Sequence, residues 1–197
     1  VDTVGFDLDL TLADTRAGIA ACYAELSRET GVEMDTARIV ARLGPPLEHE
    51  LAHWFPAAEI PAVAARFREL YEHHALPETT AMPGAHEAVA AVRSRGQGVI
   101  VVTGKNPRDA EATVAFLGLD VDAVIGSVFG KAKGGALIEH NAVTYVGDHL
   151  GDVDAARAAG VRSIGVATGA YTESALRDYG ADLTFPDLTT FATWYTP

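Results

Sequence analysis

Cysteine is nearly missing from this chain: Cys22 is the only one in 197 residues. That excludes a disulfide framework within one chain and any zinc site built from thiolates. In its alanine-rich, helix-like setting Cys22 reads as core filler. Basic residues are also scarce, with 15 Lys and Arg against 27 Asp and Glu, so the net charge is −12. No run of lysine or arginine forms the basic stripe that nucleic-acid phosphates require, and a nucleic-acid partner is not expected. A small anionic substrate stays compatible if a bound cation and a few local donors reverse the field. No apolar run reaches membrane-spanning length and no signal peptide precedes the first strand, so the expectation is a cytoplasmic protein with no membrane partner. Repeats and low-complexity tracts are missing too. What the chain does have is apolar residues, 48% of the total, enough to bury the core of one domain with a smaller insertion. Oligomeric state is left open.

Four short apolar runs read as buried strands. Residues 1–8 form the first, ending in aspartates. Residues 99–102 end at Thr103-Gly104, residues 143–146 at Gly147-Asp148, and residues 161–166 follow Gly160. Runs that are apolar on both faces suit a parallel sheet covered by helices. Helical spacing separates them: Ala85, Ala88, Val89 and Val92 share one face, and Gly96 is placed to stop that helix. Asn106-Pro107 with Asp109 looks like a capped start, with Ala110, Val114 and Leu117 lining one face before Gly118. Residues 151–159 form another helix closed by Gly160. This alternation predicts an α/β fold with a doubly wound, mainly parallel, Rossmann-like sheet.

Residues 15–80 break the alternation. They hold helical patterns over 19–28, 35–43 and 60–74, interrupted by Gly44-Pro45-Pro46, with a turn-rich return over 77–83. The expected organisation is a core of residues 1–14 and 81–197 with a helical cap, residues 15–80, inserted after the first strand.

Chemistry-bearing residues fall at the carboxyl ends of these strands, where open α/β sheets bind ligands. Asp7 and Asp9 flank Leu8. Two acids at the mouth of a buried strand repel each other unless a cation or donor compensates. Thr103-Gly104-Lys105 offers a hydroxyl and free N–H groups suited to phosphate oxygens. Lys131 and Lys133 precede a helix-like stretch, and either can neutralise phosphoryl charge. In Gly147-Asp148-His149-Leu150-Gly151-Asp152 a second acid follows the first by four residues. Alone, Asp152 reads as a first-turn helix acid and Thr103-Gly104 as an ordinary turn. Together the residues supply a nucleophilic carboxylate, a second acid, a hydroxyl, a cation and a metal-binding acid, the requirements of phosphoryl transfer with Mg²⁺.

The order and spacing resemble the haloacid dehalogenase-like superfamily, in its phosphoglycolate-phosphatase-like branch with a small helical cap. The first motif is carried by Phe6-Asp7-Leu8-Asp9-Leu10-Thr11-Leu12 with Asp14. Val102-Thr103-Gly104-Lys105 carries the second, and Val146-Gly147-Asp148 through Asp152 the fourth. The resemblance implies a phosphoric monoester hydrolase for a small-molecule phosphate ester, phosphoglycolate-like or a sugar phosphate, working through an aspartyl-phosphate with Mg²⁺. In it Asp7 is nucleophile and metal ligand. Asp9 is general acid and then base, binding metal through its backbone carbonyl. Thr103, Gly104 and a lysine hold the phosphoryl group, Asp148 ligates Mg²⁺, and Asp152 orients metal-bound water or the lysine.

Two positions depart from the family pattern: Leu10 stands where glycine is usual, and Gly104 where asparagine or serine is common. For the lysine, Lys133 has the better spacing to Leu137, with Lys131 as rival. An acid at position 9 argues against dehalogenation, because an alkyl halide leaves without a proton. Phosphonate cleavage would call for a cap lysine, and residues 15–80 contain none. A phosphosugar mutase keeps both aspartates and stays as an alternative, as does a non-hydrolytic phosphoacceptor or binding protein. Arg42 and Gly44, with Arg16 behind them, are the cap residues expected nearest the substrate. For each arginine, a solvated helix position is an equally good reading.

Overall fold

The computed structural model describes residues 1–196. Six parallel strands form one sheet: β1 (Thr3–Phe6), β4 (Gly98–Val102), β5 (Ala123–Ile125), β6 (Ala142–Gly147), β7 (Arg162–Val166) and β8 (Leu183–Phe185). Their spatial order is β5-β4-β1-β6-β7-β8. The chain thus moves outward from β1 to one edge, returns, and moves outward the other way, which leaves a crevice where β1 meets β6. The doubly wound α/β expectation holds. Strand β1 is shorter than expected because the chain turns at once: the Leu8 carbonyl accepts the N–H groups of Thr11, Leu12 and Ala13.

Alternation along β1 decides what each face meets. Val4 and Phe6 are fully buried among Ala88, Val92 and Phe191, on the face covered by α5 (Ala85–Ser94), α6 (Pro107–Leu117) and α10 (Leu188–Tyr195). Gly5 points the other way, where a Cβ would come within 2.8 Å of Leu137 and 2.9 Å of Tyr145. That face is covered by α7 (Lys133–Glu139), α8 (Leu150–Ala159) and α9 (Glu173–Tyr179). Each fully buried Val, Leu or Phe contributes roughly 1.5–3 kcal/mol of transfer free energy. The caps follow the sequence: Asn106 accepts the Asp109 N–H with Pro107 in the first turn, and Gly118 and Gly160 end their helices with left-handed backbones.

Between β2 (Ala13–Asp14) and β3 (Thr80–Ala81) lie four α-helices, α1 (Arg16–Thr30), α2 (Thr36–Val40), α3 (Leu47–Leu51) and α4 (Ile60–His74), and a 3-10 turn over Leu76–Glu78. The two strands pair antiparallel, Ala13 with Ala81 and Asp14 with Thr80, so both connections to the helical segment run side by side. This segment has its own apolar cluster, including Cys22, Tyr23, Leu26, Ile39, Phe67 and Leu70. Gly18 lets α1 pass against the chain just after α4, since a Cβ would lie 2.3 Å from the Ala75 carbonyl oxygen. The segment also bonds to the sheet domain: the Tyr71 and Thr113 hydroxyls are 2.8 Å apart. Among the described residues, no helix is long and apolar enough to cross a membrane.

Candidate active site

Asp7 follows β1 directly and Asp148 follows β6, so the two adjacent strands at the crevice deliver one carboxylate each. The Asp7 N–H still donates to the Val146 carbonyl at 2.9 Å, which continues the β1–β6 ladder and fixes its backbone. Asp152 enters from the first turn of α8. Its Oδ2 accepts the His149 N–H at 3.1 Å, while His149 Nδ1 accepts the Gly151 N–H at 3.0 Å. Asp7, Asp148 and Asp152 each offer a carboxylate oxygen, and these oxygens lie within 4.8 Å of one another. Glycine is required around them: a Cβ on Gly147 would overlap Asp152 at 2.3 Å, and one on Gly169 would overlap Asp148 at 1.8 Å.

Lys133, buried at the start of α7, is the cation of this cluster. Its Nζ lies 2.7 Å from Asp152, 3.0 Å from Asp7 and 2.9 Å from the Tyr145 hydroxyl, which itself donates to the Val102 carbonyl at 2.7 Å. All three ammonium protons therefore have partners. Lys131, the rival in sequence, is exposed. The pairing fixes the charge of Lys133: burial lowers its pKa, but Asp152 and Asp7 outweigh burial and hold it above the ordinary lysine range.

One ammonium does not balance three buried carboxylates. Burial pushes Asp7 up to about 7, against the pull of Lys133 and with help from Asp152 and Asp9. Burial likewise raises Asp148 well above the usual carboxylate range, reinforced by Asp7 and Asp152. Asp148 receives one protein donor, the Thr11 hydroxyl at 2.8 Å. A buried set of oxygen donors with surplus negative charge and no sulfur or imidazole fits a hard divalent cation.

Asp9 faces another way. Its Oδ1 accepts the Thr15 hydroxyl at 2.7 Å and sits 3.1 Å from Lys105 Nζ. The Lys105 side chain is buried, its Nζ lies 4.6 Å from the Tyr71 ring centroid, and Asp9 and Tyr71 hold it above its ordinary pKa despite burial. The Asp9 side chain is thus outside the carboxylate cluster and tied to the entrance of α1. Thr103 directly follows β4 and is buried, with its hydroxyl accepting the Lys105 N–H at 3.2 Å. Gly104 follows, beneath the Gly44 carbonyl.

The helical segment and the β4–α6 turn enclose a cavity of about 290 Å³ that touches Asp9, Gly44, Gly104, Lys105 and Arg68. Gly44 also abuts His149, whose ring carbon would lie 2.9 Å from a Cβ there. Arg42 is elsewhere: its guanidinium makes a fork with Glu50 and does not line the cavity. Arg16 is likewise paired with Asp14, at 2.8 and 2.6 Å, and half exposed.

Sequence reasoning gave no role to Thr11, Thr15, Lys105, Arg68 or Tyr145. Only Tyr145 carried a readable signal, because a phenol inside a buried apolar strand must find a polar partner. Leu10 adopts φ +60°, the left-handed backbone for which glycine is suited, and its carbonyl accepts the Thr168 hydroxyl.

Comparison with known proteins places these features in a wider group. Residues 4–166 match the haloacid dehalogenase-like hydrolase family. A phosphoglycolate phosphatase of Chromobacterium violaceum is 30% identical, over 93% of this chain and 91% of that protein. A 5'-nucleotidase of Pseudomonas aeruginosa is 29% identical, over 90% of each. A haloacid dehalogenase-like family hydrolase from Streptococcus pneumoniae superposes with a TM-score of 0.84 at 22% identity, covering 100% of this chain and 99% of that one, which speaks to the fold.

Proposed function

This chain belongs to the haloacid dehalogenase-like hydrolase family, and from that premise we propose that it hydrolyses a small-molecule phosphate monoester, phosphoglycolate-like or a sugar phosphate, through an aspartyl-phosphate on Asp7. It is an enzyme, a phosphoric monoester hydrolase. One observation carries the reading: Asp7, Asp148, Asp152 and Lys133 meet in one buried cluster at the crevice between β1 and β6, with Thr103 directly after the neighbouring strand.

In the first step an Asp7 oxygen attacks phosphorus while the bond to the ester oxygen breaks, and Asp9 delivers a proton to the departing alcohol. In the second, Asp9 takes a proton from water as that water attacks the aspartyl-phosphate. Phosphate leaves and Asp7 is restored. Lys133, Thr103 and the Gly104 N–H bear on the phosphoryl oxygens. Asp7, Asp148 and the Asp9 backbone carbonyl would hold Mg²⁺, with Asp152 supporting. When bound, Mg²⁺ offsets the negative charge that converges here. Residues 15–80 act as a cap that excludes water and selects the alcohol.

Phosphate release from a panel of esters with Mg²⁺ tests this. Release by the wild type, loss with a chelator, and a phosphoryl group on the Asp7 peptide after an acid quench are expected. Full activity of Asp7→Asn would defeat the mechanism. Conversion of a sugar phosphate to its isomer without net phosphate release would favour the mutase. A phosphorylated but non-turning-over protein would favour a phosphoacceptor.

A further inference from the structure

Two donors reach the Asp9 carboxylate, and both fall on the same oxygen. The Thr15 hydroxyl donates to Oδ1 at 2.7 Å, and Lys105 Nζ lies 3.1 Å from that atom. Thr15 stands at the N-cap of α1, yet its side chain makes no capping bond there, because the hydroxyl is given to Asp9. Among the described residues nothing donates to Asp9 Oδ2, and it is not one of the buried atoms left without a partner. Asp9 borders the cavity beneath the helical segment, so Oδ2 is the open oxygen of the pair. Donors on one oxygen fix the place and rotation of the whole carboxyl group and leave the other oxygen to react.

Lys105 is itself firmly placed. Its N–H donates to the Thr103 hydroxyl at 3.2 Å, and its carbonyl accepts the Ser127 N–H at 2.8 Å. Its side chain is 7% exposed, with Nζ resting 4.6 Å from the Tyr71 ring centroid. Tyr71 is held in turn, since its hydroxyl is 2.8 Å from that of Thr113, which donates to the Asp109 carbonyl at 2.7 Å. Burying an ammonium is costly unless it is paired, and among the described residues the ion-pair partner of Lys105 is Asp9. The other buried lysine, Lys133, pairs with Asp7 and Asp152. Each aspartate of the first motif thus has a lysine of its own, and the role of the second one is unassigned.

We propose that Lys105 is a positioning residue that pins Oδ1 of Asp9, so that Oδ2 is the oxygen that exchanges protons with the substrate. This rests on the hydrolase reading above, in which Asp9 is general acid and then base. As the bond from Asp7 to phosphorus forms and the ester bond breaks, the proton on Oδ2 passes to the departing oxygen. In the second step Oδ2 takes a proton back from the attacking water. Lys105 keeps its own protons throughout.

Phenyl phosphate and p-nitrophenyl phosphate test this with Mg²⁺, because they share a ring while phenol is the leaving group that needs the proton. Their kcat/KM values measure the barrier from free enzyme and ester. In Lys105→Met the ratio of kcat/KM for p-nitrophenyl phosphate to that for phenyl phosphate should rise at least ~10-fold over the wild type, since a misaligned acid penalises the ester that depends on it. An equal fall for both esters would assign Lys105 to structure or to ester binding and overturn the proposal, as would an unchanged ratio. In an Asp9→Asn background the same substitution should leave the ratio where Asp9→Asn alone puts it. A further rise there would show that Lys105 acts by another route and overturn the proposal. Should Lys105→Met lose the wild-type circular dichroism spectrum, Lys105→Gln, which keeps a polar end on the chain, is read in the same way. No phosphate release from either ester by the wild type would overturn the hydrolase reading itself, whereas the outcomes above leave that reading standing.

Discussion

At the carboxyl edge of β1 and β6, Asp7, Asp148 and Asp152 share a single buried lysine. A short way off, under α1 and α4, Asp9 and Glu48 each have a cation of their own. The first arrangement is short of positive charge and raises the pKa of Asp7 and Asp148. The second is paired and walled by aromatic rings. The first is left unbalanced because strand ends fix where the acids stand. Thr15 joins the two regions, since it holds Asp9 at the root of the helical segment.

The largest break in this comparison is Asp7→Asn. Turnover should fall by more than ~10⁴-fold, because no other carboxylate can take over the attack. Thermal unfolding of the metal-free variant should occur at or above the wild-type temperature, since one repelling buried acid is gone. Asp9→Asn comes next. Turnover of alkyl phosphates should drop ~10²–10⁴-fold, and less for p-nitrophenyl phosphate, whose leaving group departs without a proton.

Tyr145→Phe removes one partner of Lys133 and the donor to the Val102 carbonyl. It should cost about 1–3 kcal/mol in a urea titration. The unbalanced cluster also predicts a pH trend. In the folded, metal-free protein Asp7 keeps its proton up to about 7, against an ordinary value of 3.8. The folded state therefore binds more protons between these values, and this contribution to stability falls as pH rises from about 4 to about 7. Mg²⁺ should raise Tm more near pH 7.5 than near pH 5, measured by calorimetry with and without chelator. An equal rise at both would mean that the cation does not meet these acids. Smallest is Lys131→Ala, expected within about ±0.5 kcal/mol of the wild type and with unaltered turnover, while Lys133→Ala is expected to abolish turnover in the same assay.

Much of the fold was legible because its signals are local. Val99–Val102 is continuous and apolar, Asn106-Pro107 starts a helix that Gly118 ends, and Gly160 ends another. Strands β5 and β8 were not legible. Each has three residues, none fully buried, and is held by pairing to a neighbour rather than by its own pattern. Helices α9 and α10 also went unread. Helix α3, behind Gly44-Pro45-Pro46, has five residues, too few for periodicity to show.

Within the site, the sequence by itself determined that Asp7, Thr103 and Asp148 lie on one edge. An apolar run that stops at a polar residue marks a strand end, and parallel strands put those ends together. Only the tertiary structure decided which lysine joins them, that Arg42 and Arg16 are spoken for by Glu50 and Asp14, and that Arg68 and Lys105 line the cavity. Exposed and buried lysines look alike two residues apart in sequence. Charge pairing depends on where side chains separated by many residues are brought by packing, which no local pattern records.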